Sequence, residues 1–349
     1  MKWLEQPIAK LSEKGIKDAN ERQAQLTKPP GSLGKLEELA IKFSAIQQTQ
    51  QPDINNVHIS IFAADHGIAN ENVSAFPQVV TTEMIKNFSR GGAAISVLAK
   101  ELGANLEVVD LGTVVDAGEL DGVISVRIAE STSNFANQAA MTEAQLDKAL
   151  GEGKAAVKRA IDSDAKVFIG GDMGIANTTA ATAMACVYLD KAPVDLTGPG
   201  TGLDEKGVTH KAEVIQQALG LHEAPLLSAV EVLRYFGGFE IAALTGAYIY
   251  AAQQGLPVVV DGFIATAAAL AAVKIKPGCD EWFIYAHQSH EPGHRLMLQA
   301  LNAEPLVNLN MRLGEGSGAA VVIPLLRQAC ALHANMATFA EAGVSTGDE

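Results

Sequence analysis

Short runs of β-branched and apolar residues alternate along this chain with longer segments in which apolar residues recur every three or four positions. The short runs predict strands, and the longer segments predict helices. The strands are predicted at 57–63, 106–111, 123–128, 167–170, 257–260 and 282–286. The helices are predicted at 81–102, 143–161, 177–189, 209–219, 239–253, 264–273 and 292–301. This alternation predicts an α/β fold with a mostly parallel, Rossmann-like sheet flanked by helices.

The two ends of the chain differ from its middle. Residues 1–50 are polar and helical in pattern, with a break at Lys28-Pro29-Pro30-Gly31, and 325–349 resemble one helix and a frayed tail. Pro324 interrupts the apolar run before that, which predicts a kinked helix beginning near Ser317. A length of 349 residues suits about two domains. We therefore expect a small helical domain from 1–50 plus 325–349 and an α/β catalytic domain over 51–324.

Composition and charge narrow the classes of partner. Hydrophobic residues make up 48% of a chain whose net charge is −14, which indicates a globular protein and argues against nucleic acid or an anionic membrane as its partner. The longest apolar stretch, 256–273, contains Pro257 and Asp261 and does not suit a membrane span. Three scattered cysteines and an N-terminus without an apolar core favour a reducing cytoplasm.

A carboxylate stands between two glycines at Gly314-Glu315-Gly316, just before an apolar segment. Flanking glycines allow backbone conformations closed to other residues and let a ligand come close. Such a carboxylate is suited to accept a proton or hold a cation. The alternative is a solvated turn in which Glu315 has no functional role.

Two glycine-rich loops are candidate phosphate sites. The first, 170–179, follows a predicted strand and opens a helix, with Asn177 or Thr178 as its predicted N-cap. Free N–H groups at such a helix start attract anions. The second loop is 197–202, and Lys211 follows it on a helix that can bring an ammonium to the same anion. Neither loop is a Walker or dinucleotide fingerprint, and each can equally be an ordinary turn.

Two further segments leave alternatives open. His287, His290 and His294, with Asp65, His66 and Glu291, can be read as a metal site or as hydrogen-bonding residues at the start of a helix. Pro292 and Gly293 exclude the register in which two histidines of one helix hold zinc. The loop with Phe76, Pro77 and Gln78 offers an apolar wall and a polar tip, which suits a flat aromatic ligand or simply a buried Phe.

Taken together, these segments closely resemble the nicotinate-nucleotide–dimethylbenzimidazole phosphoribosyltransferase family over nearly the whole chain. The matching segments are, in order, Leu26–Glu37, Ala64–Gly67, Phe76–Gln78, Asn87-Phe88, Gly91–Ala94, Gly171–Thr179, Gly200–Gly202, Asp261–Phe263, Ser289-His290 and Gly314–Gly318.

The resemblance implies a reaction. The 5-phosphoribosyl group of nicotinate mononucleotide passes to a nitrogen of 5,6-dimethylbenzimidazole, giving α-ribazole 5′-phosphate and nicotinate with inversion at the anomeric carbon. This step belongs to assembly of the cobalamin lower ligand. Nicotinate leaves from a pyridinium and needs no acid, whereas the azole must lose its N–H proton, so one base is enough. The resemblance implies no cofactor, no metal, and a homodimer, with the small helical domain expected at the interface.

The resemblance also implies roles for individual residues. Glu315 matches the family's general base. The ribotide and its phosphate would be bound by Gly171, Asp172, Gly174, Ile175, Asn177, Thr178, Thr179, Gly200, Thr201 and Lys211, and the benzimidazole by Phe76, Pro77, Gln78, Lys86 and Leu313. The family often has Glu at the position of Asp172 and Gly at that of Ala176. Asp172 keeps the charge with a shorter reach, which puts its ribose contact in question.

Two other functions remain open on the sequence. One is a metal-dependent hydrolase built on Asp65 and the histidine cluster. The other is a catalytically silent protein that binds azoles or nucleotides, against which the glycine-flanked Glu315 argues. The sequence does not indicate which azole or phenolic base is preferred.

Overall fold

The computed structural model describes residues 1–345, and its centre is a single sheet of six parallel strands. The strands are β1 Val57–Ala64, β2 Asn105–Gly112, β3 Val123–Ser125, β4 Val167–Met173, β5 Val258–Val260 and β6 Phe283–Tyr285. Their order in the sheet is β3-β2-β1-β4-β5-β6, and every neighbouring pair is parallel. The chain reverses its direction of strand addition between β1 and β4. In open α/β sheets, ligands bind at such a point, beyond the carboxyl ends of the strands.

Helices cover both faces of this sheet. In the described residues they are α1 Glu13–Gln25, α2 Lys35–Gln47, α3 Val79–Ser89, α4 Ala94–Leu102, α5 Glu143–Asp162, α6 Asn177–Leu189, α7 Pro193–Leu196, α8 Glu205–Leu221, α9 Ala229–Phe236, α10 Phe239–Gln254, α11 Phe263–Ile275, α12 Pro292–Ala300, α13 Ser317–Asn335 and α14 Phe339–Ala342.

Side chains that alternate along β1 divide the core in two. Phe62 and Ala64 point to a cluster formed mainly with α5, α6, α10 and α11, whereas Ile59, Ile61 and Ala63 point to a cluster with α2, α4 and α13. All eight residues of β1 are buried, as expected of a central strand covered on both faces. Small residues let the helices approach closely: a Cβ at Gly153 of α5 would collide with the carbonyl oxygen of Ala243 on α10.

The predicted α/β fold is confirmed, and two predicted elements are corrected. The single helix predicted at 81–102 is two helices, α3 and α4, because the chain turns at Arg90–Ala93, where Gly91 has a φ of +78°. The strand predicted at 123–128 ends at Ser125, because the backbone of Arg127 is left-handed with a φ of +40°. The helix predicted near Ser317 begins at that residue and contains Pro324.

Segments from the two chain ends lie against each other. Leu26 forms an antiparallel bridge with Thr338, and the guanidinium of Arg22 donates to the carbonyl oxygens of His333 and Ala334. Helix α13 is continuous across the predicted domain boundary at 324, and it packs on both α2 and α4. The predicted tail includes 346–349, which lie outside the described residues.

Helix α13 is also apolar. By length and composition alone, Ser317–Asn335 could cross a membrane. However, 56% of its most apolar window is buried inside the fold, as in the central helix of a globular domain.

Candidate active site

A cavity opens at the carboxyl edge of the sheet, where β4, β5 and β6 end. Among the residues predicted from the sequence, it brings together Asp172, Asn177, Thr178, Gly200, Thr201 and Leu313. Residues that were not predicted to bind the ribotide or the azole complete its wall, among them His287 and Glu291 of the alternative metal site: Asp261, Gly262, Phe263, Ile264, His287, Ser289, Glu291, Arg312 and Gly314. Parallel strands place these loops side by side although they are far apart in sequence.

The start of α6 forms one wall of the cavity. The predicted N-cap was wrong: the cap is Ala176, whose φ of +74° is left-handed, and not Asn177 or Thr178. The Asn177 amide is used elsewhere, because its Nδ2 donates to Oδ2 of Asp172 at 3.0 Å. The N–H groups of Asn177 and Thr179 donate to the carbonyl oxygens of Gly174 and Ala176. The N–H of Thr178 has no partner among the described residues and stays available to an anion.

Lys211 lies directly behind this helix start. The side chain comes from α8 and is fully buried, and its Nζ lies 2.8 Å from Oγ1 of Thr178 and 3.4 Å from the carbonyl oxygen of Gly198. Burial lowers the pKa of Lys211 to about 8, against the attraction of Glu291. Nζ of Lys211 contacts only uncharged oxygen atoms, and a phosphate between Thr178 and Gly200 would provide its anionic partner.

The other residues predicted to bind the ribotide lie beneath the cavity wall, on β4, in the loop that follows it and in α6. Gly171 lies on β4, and a Cβ there would collide with the carbonyl oxygen of Glu315. Gly174 approaches the carbonyl oxygen of Ala64, where a Cβ would lie at 2.6 Å. Ile175 donates its N–H to Oγ1 of Thr81, and Thr179 is buried within α6.

Glu315 is held in a left-handed conformation between its two glycines. Its φ is +65°, its side chain is 5% exposed, and its Oε2 accepts a hydrogen bond from the N–H of Ile95 at the start of α4. Burial raises the pKa of this carboxyl, the Ile95 hydrogen bond opposes the rise, and the charge of Asp261 adds to it. A raised pKa improves a carboxylate as a proton acceptor near neutral pH.

Asp261 fixes the backbone of that loop. Its Oδ2 accepts from the N–H of Gly316 at 3.2 Å and its Oδ1 from the N–H of Ala319 at 2.8 Å, so it caps α13 from the end of β5. In the sequence, Asp261 directly follows the strand predicted at 257–260, but no role is predicted for it. Its position at the carboxyl edge of the sheet could have indicated a role in the site. The hydrogen bond itself joins residues 55 positions apart, so local sequence does not reveal it.

Several buried carboxylates converge here. Asp172 is buried beside Asp261, Glu240 and Glu315; burial and these charges hold its pKa well above the usual range, although Asn177 opposes the rise. Glu291 accepts the N–H of Gly200 at 3.0 Å, and burial raises its pKa as well. A concentration of carboxyls with raised pKa values is typical of a catalytic site.

The residues predicted to bind benzimidazole lie at the edge of the site, and of these only Leu313 lines the cavity. Phe76 is 50% exposed, and Gln78 precedes α3 and donates from Nε2 to the carbonyl oxygen of His66. Lys86 lies further along α3 and is half-buried. The Ser74 hydroxyl lies 3.4 Å from that of Thr201, which links the Phe76–Gln78 loop to the phosphate side of the cavity.

His66, His294 and Asp65 make separate groups of hydrogen bonds, and Nε2 of His287 lies 3.6 Å from Oδ1 of Asp261. His66 pairs with Glu240 at 2.6 Å, with both side chains fully buried, whereas His294 contacts Oγ1 of Thr266 and the N–H of Ser289. Asp65 accepts from Thr81 and from the N–H of Val114. Among residues 1–345, no three His, Cys, Asp or Glu side chains are arranged to hold a metal ion.

The fold and the site define a class: an α/β enzyme with a cavity at the carboxyl edge of its sheet, beside a helix start and a glycine loop that carries a buried carboxylate. The chain matches the family model of the phosphoribosyltransferase DBI_PRT over residues 8–344. It therefore belongs to this phosphoribosyltransferase family.

Similar proteins carry a more specific name. The nicotinate-nucleotide–dimethylbenzimidazole phosphoribosyltransferase of Xanthomonas oryzae pv. oryzae is 59% identical over 324 residues, which cover 93% of each chain. That of Pseudomonas fluorescens is 54% identical over 98% of each chain. The crystal structure of the same-named enzyme from Thermus thermophilus superposes with a TM-score of 0.91 at 41% identity, covering 97% of this chain and all of the other.

Proposed function

We propose that this protein transfers the 5-phosphoribosyl group of nicotinate mononucleotide to 5,6-dimethylbenzimidazole. The products are α-ribazole 5′-phosphate and nicotinate, in the synthesis of the cobalamin lower ligand. The observation that carries this function is the joint placement of Lys211 behind the start of α6 and of Glu315 on the adjacent glycine loop. The 59% identity to a relative of that name supports it.

The ribotide phosphate binds between the start of α6 and the Gly200-Thr201 loop. The N–H of Thr178 at the start of α6, the hydroxyl of Thr178 and the ammonium of Lys211 are its donors. Asp172 faces the ribose and is linked to the same helix through Asn177. Because the pKa of Asp172 is raised by burial and by neighbouring carboxylates, its protonated form can donate a hydrogen bond to a ribose hydroxyl.

The chemical step needs one base. The bond between the ribose C1′ and the pyridinium nitrogen breaks, and its electron pair neutralises the departing nicotinate ring. An azole nitrogen attacks C1′ from the opposite face, and the proton on the other azole nitrogen passes to the carboxylate of Glu315. Positioning of the two rings supplies most of the remaining acceleration. Phe76, Pro77, Gln78, Lys86 and Leu313 form the azole side of the site.

A product assay tests this function. Purified protein is incubated with nicotinate mononucleotide and dimethylbenzimidazole without added metal, and then with a chelator, and nicotinate and the riboside phosphate are quantified. We expect equal amounts of both products, release that depends on the azole, and no effect of the chelator. Ligand binding without release would favour the silent binding protein, and release restored only by metal would favour the hydrolase.

The assembly and cellular location are part of the same proposal. We infer a homodimer with the small helical domain, residues 1–50 plus 325–349, at its interface; the contacts of Leu26 with Thr338 and of Arg22 with His333 support that domain as a unit. Sedimentation equilibrium at micromolar concentration would show twice the 36.5 kDa chain mass. The three cysteines are buried free thiols, which supports a reducing cytoplasm.

A further inference from the structure

One basic side chain at the cavity has no partner among the described residues. Arg312 is exposed and lines the cavity, and within residues 1–345 its guanidinium makes neither a hydrogen bond nor an ion pair. An arginine has five N–H donors and stays charged at every physiological pH. A free guanidinium at the rim of a ligand site is therefore available to an anionic group of a ligand.

The backbone around Arg312 is fixed although its side chain is free. The carbonyl oxygen of Met311 accepts the N–H of His290 at 3.1 Å, and the N–H of Glu315 donates to the carbonyl oxygen of Asp172 at 3.3 Å. The hydroxyl of Ser317 donates to the carbonyl oxygen of Gly314 at 2.7 Å. These contacts attach the segment to the His290 loop and to the end of β4, and they close its own turn at Gly314, so the backbone of Arg312 has a fixed position at the cavity.

The charges around the cavity leave Arg312 as the partner for a second anionic group. Asp172, Asp261 and Glu291 line the cavity, and Arg312 is the only Lys or Arg among its described lining residues. Lys211 lies behind Thr178 and is committed to the phosphate side. A ligand carboxylate that entered without a cationic partner would meet repulsion from the acidic residues.

We propose that Arg312 binds the carboxylate of the nicotinate ring and thereby makes the enzyme select the acid ribotide over the corresponding amide. The inference rests on the proposed function, because it assigns a residue to one group of that substrate. A guanidinium pairs with a planar carboxylate through two parallel hydrogen bonds, which an uncharged carboxamide cannot reproduce. Two cations, Lys211 and Arg312, then match the phosphate and the carboxylate of one substrate.

Steady-state kinetics with two substrates test this role. kcat/KM is measured for nicotinate mononucleotide and for nicotinamide mononucleotide, with wild type, Arg312→Gln, Arg312→Lys and the control Arg295→Gln, an exposed arginine of α12 outside the cavity lining. We expect Arg312→Gln to lose on the order of 10²-fold for the acid substrate and less than about threefold for the amide. The kcat/KM of Arg312→Lys for the acid substrate should lie between those of wild type and Arg312→Gln, and Arg295→Gln should match wild type.

Product inhibition gives an independent measurement, which applies even if the amide ribotide turns over too slowly. Arg312→Gln should raise the inhibition constant of nicotinate on the order of 10-fold or more and leave that of nicotinamide unchanged. An equal loss for acid and amide, or an unchanged ratio, would overturn the role of Arg312 while leaving the transferase function intact. A wild-type protein inactive with both substrates would instead refute the proposed function.

Discussion

The side-chain carboxylate of Asp261 accepts the backbone N–H of Gly316, with Oδ2 3.2 Å from the nitrogen. This contact joins the end of β5 to the loop that carries Glu315, and a second one to Ala319 makes the same carboxylate the cap of α13. Asp261 therefore contributes to the site in two ways. It holds the left-handed backbone at Glu315, and its negative charge raises the pKa of the Glu315 carboxyl.

Replacing Asp261 by Asn removes the charge and keeps one of the two acceptor oxygens. The pKa of Glu315 should therefore fall, while one of the two backbone contacts is retained. Because Glu315 must be unprotonated to act as a base, the acid limb of the kcat profile should move to lower pH. Asp261→Ala should in addition lower kcat by roughly 10-fold or more, since two N–H groups of α13 lose their partner. pH–rate profiles of both variants check this, and an acid limb in Asp261→Asn that coincides with wild type would contradict it.

Lys211 is expected to act on substrate affinity. Burial lowers its pKa to about 8, so the ammonium is lost at a pH well below that of an ordinary lysine. The KM for nicotinate mononucleotide should rise as pH increases through about 8. A bound phosphate should raise the pKa of Lys211, so the alkaline limb of the kcat profile should lie at higher pH than that of kcat/KM. Lys211→Met should raise this KM by roughly 100-fold and remove the alkaline rise. The same rise in Lys211→Met as in wild type would show that another group titrates.

Gly171 is expected to be required for both packing and rate. A Cβ there would collide with the carbonyl oxygen of Glu315 and approach Cδ1 of Ile61 at 2.6 Å. Gly171→Ala should cost about 1–3 kcal/mol of unfolding free energy and lower kcat, because the base is displaced. Gly151→Ala on α5 is the matched control: nothing lies within 4 Å of its Cβ, and it should stabilise the protein by about 0.5–1 kcal/mol. Urea unfolding and kcat distinguish the two.

Stability in acid should depend on Glu107. Burial alone would raise its pKa, but the neighbouring His58 imidazole and hydrogen bonds from Arg159 and Ser60 lower it to about 2. The folded state therefore gains stability that is complete above the unfolded pKa of 4.5 and is lost as pH falls towards 2. Glu107→Gln should lower the unfolding free energy at pH 7 by roughly 2 kcal/mol and flatten its fall between pH 5 and 3.

The control for Glu107 is the exposed Glu213 of α8. Glu213→Gln should change the unfolding free energy by less than about 0.5 kcal/mol at either pH. Equal effects of the two substitutions in urea titrations would contradict the role of the Glu107 hydrogen bonds.

Local patterns predicted most of the fold because its central strands are buried on both faces and several helices begin at a capping side chain, as α5 does at Thr142. The helix at 177–189 was predicted with its observed bounds. The break at Gly91 was missed because the apolar period continues across it, and the cap of α6 was misplaced because Asn177 binds Asp172 instead of its own helix.

The site was only partly predictable for a different reason. Residues within one glycine-rich loop, such as Asp172 and Thr178, are near one another in sequence and share the cavity. Asp261, Glu291 and Arg312 reach the same cavity from other loops. Their proximity depends on the order of strands in the sheet, which the hydrophobic pattern does not encode.

The most direct test of the central claim is the rate of phosphoribosyl transfer by Glu315→Gln. Glutamine preserves the size of the side chain and an acceptor for the N–H of Ile95, but it cannot take the azole proton. With urea unfolding and ribotide KM close to wild type, we predict that kcat falls on the order of 10²-fold or more. A folded Glu315→Gln variant that retains wild-type kcat would contradict the assignment of Glu315 as the base.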